Sequence, residues 1–115
     1  MQVRREAVCG NLVASLCIQL LPERSPTLQS EHVEALCRAI AVEFGASLEV
    51  THGNEGGSYV NFLFLSDDVP VLWEMLCRRL FLNDETGAAI RNATIVTRTG
   101  DRGWDDYRLL HHYES

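Results

Sequence analysis

The chain contains no lysine, so all 10 of its basic residues are arginine. Its 16 acidic residues outnumber them, and the formal net charge is −6. Proteins that bind nucleic acids normally present a clustered basic face that neutralises phosphates. The composition argues against such a face, and we expect no nucleic-acid partner.

Paired cysteines are also missing. The four cysteines form neither a Cys-x-x-Cys pair nor a zinc-like spacing, and they stand at Cys9, Cys17, Cys37 and Cys77. Each has apolar neighbours inside a predicted strand or helix, where a free cysteine behaves as a small hydrophobe. We therefore expect reduced thiols, with no disulfide and no zinc site.

Long uninterrupted apolar runs are absent as well. Arg4 and Arg5 precede an apolar stretch at 7–21 that superficially resembles a signal peptide. Polar residues such as Asn11 and Ser15 interrupt it, no small-residue cleavage site follows, and it is too short to cross a bilayer. We expect a cytoplasmic protein without a membrane partner. A length of 115 residues with 46% hydrophobic content fits one domain over 1–115.

The most informative stretch that is present is 58–82, where the hydrophobic period changes. Val60, Phe62 and Phe64 alternate as in a strand with one buried face. From Val69 onward the apolar residues recur at helical spacing. Ser66, Asp67 and Asp68 stand at the change, where their oxygens can cap the helix and the acids favour its dipole. The pattern predicts a strand leading directly into a helix.

The same periodicities place the remaining elements along the chain. They predict a first strand at 11–21, a helix capped by Ser30 and ended by Gly45, strands at 47–52, 91–98 and 106–113, and a polar connection at 83–89. The turns at 53–57 and 99–103 predict two antiparallel hairpins. A terminal helix carrying Trp104, Tyr107, Leu110 and His111 is the alternative for the last segment.

This order, β-α-β-β-α-β with an added C-terminal strand, predicts an α+β fold. Two strand-helix-strand units around a central hairpin give an antiparallel sheet with two helices on one face, the ferredoxin-like sandwich. The other face of the sheet must then be solvated, covered by the tail, or used for binding.

Residues that could carry chemistry have simpler structural interpretations. Asp67 and Asp68 suit helix capping better than an acid pair. His111 and His112 are neighbours on a strand and point to opposite faces, so they cannot chelate one ion. The glycines at 53–57 lack the lysine of a phosphate loop. We expect no catalytic residue, no metal and no cofactor.

Aromatic residues among acids near the C-terminus are more suggestive, because rigid rings with a polar rim are typical of protein-binding surfaces. Tyr59 and Asn61, on the outward side of the third strand, extend that surface. The predicted partner-binding residues are Tyr59, Asn61, Trp104, Asp105, Asp106, Tyr107, His111 and Tyr113. The alternative is that Trp104 and Tyr107 close the core beneath the helices.

These observations favour a non-catalytic acidic protein that captures a basic protein partner. Its most concrete version is an immunity-type inhibitor that binds and neutralises a cognate toxin. One alternative is a small ligand-binding or enzymatic ferredoxin-like domain, with a site on the open sheet face using Tyr59, Asn61, His111 or His112. Another is a homodimer that buries the aromatic tail.

Overall fold

The computed structural model describes residues 14–54, 57–82, 84–99 and 107–113, and of Tyr107 the backbone alone. They form an α+β fold of five strands and three α-helices: β1 (Ala14–Leu20), α1 (Ser30–Phe44), β2 (Ser47–Gly53), β3 (Tyr59–Ser66), α2 (Val69–Arg79), α3 (Glu85–Arg91), β4 (Thr94–Thr99) and β5 (Tyr107–His112). A short 3-10 helix, Pro22–Arg24, follows β1.

The five strands form one antiparallel sheet in the order β2-β3-β1-β4-β5. The two predicted hairpins, β2 with β3 and β4 with β5, are confirmed. The last segment is a strand, so the alternative of a terminal helix is wrong.

A single layer of helices covers one face of the sheet. The buried side chains of β1, β3 and β4 all belong to even-numbered residues, and those of α1 and α2 pack into the same cluster. Its largest members are Phe62, Phe64, Leu16, Ile18, Leu20, Ile40, Leu72 and Leu76. Because successive residues of a strand point to opposite sides, the odd-numbered residues form the other face.

The predicted change from strand to helix after β3 is confirmed. The Asp68 carboxylate accepts a hydrogen bond from the Val71 amide at 3.4 Å, and the Ser66 hydroxyl accepts one from the Asp68 amide at 3.0 Å. Asp68 is therefore a helix cap. Gly45 ends α1 with φ at 82°, a left-handed conformation that favours glycine. The N-cap of α1 is Gln29, so the prediction of Ser30 is one residue late.

The predicted polar connection at 83–89 is wrong, because α3 occupies most of it. The Asp84 carboxylate accepts a hydrogen bond from the Gly87 amide at 2.7 Å and caps this helix. A Cβ at position 87 would collide with the Leu82 carbonyl, so Gly87 permits a close helix-to-loop approach. Ile90 is fully buried, and it adds α3 to the core. The described residues therefore contain three α-helices, where the sequence predicted two.

Candidate functional site

We call the side of the sheet without helices the uncovered face. It consists of the odd-numbered residues of β1 to β4, with Leu109 and His112 of β5. All of these residues are half-buried or exposed in the described structure. Antiparallel pairing aligns them in rows across the strands, so neighbouring rows act as one surface.

The central row of the uncovered face is mainly apolar. Strand register places in it Glu49, Leu63, Cys17, Thr97 and Leu109, from one edge of the sheet to the other. Leu63 and Cys17 are half-buried, whereas Leu109 is 60% exposed. In the flanking rows Ile95 is half-buried and Leu65 is 42% exposed. Together these side chains form an apolar centre that no described element covers.

Charge is almost absent from this face. Glu49 is the one acidic or arginine side chain among its described residues, and it lies on the edge strand β2. The ion pairs formed between two described residues lie instead on helices α1 and α2: Arg38 with Glu34, Arg78 with Glu74, and Arg79 with Glu43. The uncovered face is therefore nearly neutral on a strongly acidic protein.

Polar groups of the uncovered face differ in how well they are satisfied. The Ser15 and Thr99 hydroxyls lie 2.7 Å apart and hydrogen-bond each other. Asn61, next to Gln19 and Thr51 in strand register, has a buried Oδ1 with no hydrogen-bond partner among the described residues. An unsatisfied buried acceptor costs about 1–3 kcal/mol. The fold of the described chain therefore provides no hydrogen bond to the Asn61 Oδ1.

Tyr59 lies on the uncovered face as predicted, at the end of the β2–β3 hairpin. Its ring covers the backbone of Gly53, its cross-strand partner, so closely that a Cβ at Gly53 would overlap the ring. The aromatic ring thereby replaces the side chain that glycine lacks. The structure thus places both Tyr59 and Asn61 on the same face of β3.

His111 is not on the uncovered face, because the register of β5 shifts opposite Val96 and Thr97. The bulge turns His111 toward the helices, where its Nε2 donates to the Arg91 carbonyl at 2.8 Å and its ring lies 5.6 Å from the Phe81 ring. His112 pairs with Ile95 on the uncovered face. The two histidines therefore point to opposite faces of the sheet, as predicted.

Tyr113 lies beyond the end of β5, and its ring contacts a guanidinium. The Arg24 guanidinium carbon is 3.6 Å from the centre of that ring, and the His112 ring centre is 4.2 Å from it. Trp104, Asp105 and Asp106 lie outside the described residues, as does the side chain of Tyr107. Their predicted role in partner binding stays a prediction.

The described thiols are poorly suited to nucleophilic chemistry, since the thiolate is the reactive form. Burial raises the pKa of the Cys37 thiol to about 12, with a smaller contribution from the Glu34 carboxylate. Burial also raises the pKa of Cys17, and burial followed by the Glu74 carboxylate raises that of Cys77. Among the described residues, no three His, Cys, Asp or Glu side chains are grouped as a metal site.

Among the shallow depressions of the described surface, three have volumes of about 240, 280 and 320 Å³. The first lies over α1 and α2, the second beside α3, and the third at the end of β3 near Leu65 and Asp67. They are at or below the small end of ligand-binding cavities, at roughly 300–1,000 Å³. None of the three lies over the central row, so they do not favour a small-ligand site there.

Sequence reasoning missed the apolar residues that dominate the uncovered face: Cys17, Leu63, Leu65, Ile95 and Leu109. A signal was available in β3, where 62–65 is continuously apolar instead of alternating. Such a run indicates a strand with apolar side chains on both faces.

Comparison with known proteins finds no matching protein-family model, and no curated protein or solved structure shows significant similarity to this chain. Within the residues that the structure describes, no helix has the length and apolar character needed to cross a membrane.

Proposed function

We propose that this chain is a non-catalytic acidic binding protein that holds a basic protein partner on its uncovered face. Its most concrete form is a cytoplasmic immunity-type inhibitor that neutralises a cognate toxin. We also propose a ferredoxin-like plan for its fold. The order β2-β3-β1-β4 supports that plan, with α1 between β1 and β2 and α2 between β3 and β4. Helix α3 and strand β5 are then additions to it.

The apolar centre of the uncovered face is the observation that carries this proposal. Interface cores are depleted of charged residues and surrounded by a polar rim. Leu63, Cys17 and Ile95 form such a centre, with Leu65 and Leu109 more exposed around it. Glu49 and the hydroxyl-bearing side chains of β2 supply the rim.

The charge distribution favours a basic partner. Within the described residues, five carboxylates neither pair with a described arginine nor cap a helix: Glu23, Glu31, Glu49, Asp67 and Glu85. A net charge of −6 attracts a positively charged protein over several ångströms and raises its association rate. Long-range attraction brings the partner to the protein, and the apolar centre then holds it.

Affinity capture with matched variants tests the proposal. The immobilised wild-type protein, Leu109→Arg and Val42→Arg are each exposed to an extract of the native host. Leu109 and Val42 are both exposed, at 60% and 84%, but Val42 lies on α1, away from the sheet. We expect a basic protein retained by the wild type and by Val42→Arg, and reduced at least about tenfold on Leu109→Arg because one hot-spot contact contributes about 1.4 kcal/mol or more.

Equal retention on all three proteins, or retention of an acidic protein alone, contradicts the proposal.

Once a partner has been identified, the double variant Asp105→Ala with Asp106→Ala tests the remaining predicted acidic residues. We expect slower association and weaker salt dependence, since rim charges act mainly on the association rate. Unchanged kinetics would remove these two residues from the binding surface.

A further inference from the structure

The uncovered face carries almost no charge, which affects how two copies of the free protein can meet. This property does not depend on the proposed function. Its central and flanking rows are apolar or neutral, and Glu49 is its one acidic or arginine side chain within the described chain. The described ion pairs lie on α1 and α2. Two copies can therefore bring these faces together without placing many like charges opposite each other.

We propose that, in the absence of a partner, a second copy of this chain covers the uncovered face in a reversible symmetric dimer. In a two-fold arrangement the same patch serves both subunits, so that patch must be compatible with itself. An apolar, nearly uncharged centre meets this condition. A basic partner, by contrast, is attracted by the net charge of the whole protein and not by the nearly neutral centre. Sheet-on-sheet packing of inward-facing side chains is an established way to bury such a surface.

The size of the face is sufficient for a reversible dimer. Five strands about 4.8 Å apart and about six residues long span roughly 500 Å². Burial of this area on both copies removes roughly 1,000 Å² from solvent, near the lower limit for a specific interface. We therefore expect dissociation within an experimentally accessible concentration range, so that another protein can displace the second copy.

Added salt should change the binding of a second copy and of a basic partner in opposite directions. Each copy carries a net charge of −6, so two copies repel each other, and added salt screens this repulsion. Dimerisation should therefore strengthen as salt is raised. Binding of a basic partner should weaken under the same change, because salt screens an attraction.

Sedimentation equilibrium of the full chain tests the dimer directly. Wild type, Leu65→Glu, Leu109→Glu and Val42→Glu are compared at about 0.05 M and about 0.5 M sodium chloride, which shortens the screening length roughly threefold. The three substituted residues are exposed, so the variants should fold, and circular dichroism checks this. We expect a monomer–dimer equilibrium for wild type and Val42→Glu that tightens severalfold in high salt. Both face variants should be monomeric.

A wild-type monomer at high micromolar concentration in both salts would overturn the inference. A dimer that both face variants retain would overturn it equally, as would one disrupted by Val42→Glu alone. These outcomes are separate from the capture experiment. A monomeric protein can still retain a basic partner, and a dimeric one can fail to retain any.

Discussion

The two faces of the sheet use similar residues with different outcomes. Leu16 and Phe62 on the helix-covered face are fully buried, whereas Leu65 and Leu109 on the uncovered face are 42% and 60% exposed. Both faces are apolar at their centres, yet among the described residues only one of them has helices packed against it. The chain therefore provides two surfaces suited to burial, and the described helices cover one of them. The uncovered face is therefore the surface on which we expect a partner or a second copy to bind.

The largest expected difference between the faces is in stability. Leu16→Ala leaves a cavity in the closed core and should lower the free energy of unfolding by about 2–5 kcal/mol. Leu65→Ala removes the same atoms from a side chain that already contacts solvent, and should cost less than about 1 kcal/mol. Urea denaturation followed by circular dichroism measures both. Equal losses would mean that the uncovered face is as closed as the core.

The α+β class was predictable because the main strands and helices have strong periodicities. The change from period two to helical spacing at Ser66 to Asp68 identified both the end of β3 and the cap of α2. Helix α3 was not predictable in this way, since seven residues make only two turns. In so short a segment Gly87 resembles a chain reversal, although Asp84 three residues earlier is a usable capping signal.

The candidate site was predictable only in part. Tyr59 and Asn61 were placed on the correct side of β3, because alternation within a strand is reliable. His111 was grouped with them by extending the alternation through β5, but the bulge opposite Val96 and Thr97 reverses the face from that point. No turn-forming residue in β5 indicates the bulge in the sequence. The apolar centre was missed because odd positions of β1 include polar residues, which suggested a solvated face.

The thiols provide a second comparison of the two faces. The pKa of Cys37, beneath the helices, is raised to about 12, so the folded state keeps its proton where the unfolded thiol ionises above about 9. The contribution of the Cys37 thiol to the free energy of unfolding is therefore fully present below pH 9 and is lost as the pH rises toward 12. We expect the wild type to lose about 1.4 kcal/mol more per pH unit than Cys37→Ala over this window.

Cys17→Ala is the matched control for that pH series, because Cys17 lies half-buried on the uncovered face. Burial alone raises the pKa of Cys17, so we expect Cys17→Ala to change the slope in the same direction. Urea denaturation at several pH values from about 8 to about 10.5 spans the start of the effect. Parallel slopes for wild type and Cys37→Ala would show that the Cys37 thiol ionises normally.

The smallest expected changes in the free energy of unfolding have opposite signs on the two faces of the sheet. Thr94, buried on the helix-covered face, donates a hydrogen bond to the Ile90 carbonyl at 2.8 Å. Thr94→Val removes that bond and should destabilise the protein by about 1 kcal/mol. Asn61→Leu removes a buried acceptor without a described partner, and should stabilise the isolated protein by about 1 kcal/mol. A loss of stability in Asn61→Leu would show that Asn61 is satisfied within the chain.

Methyl NMR spectra over a concentration series test most directly whether two copies of the chain meet through the uncovered face. Leu63, Leu65, Ile95 and Leu109 report on that face, and Val42 on the exposed side of α1. We expect the leucine and isoleucine signals to shift progressively with concentration while those of Val42 stay constant. Shifts confined to Val42, or constant signals from all five residues up to high micromolar concentration, would contradict it.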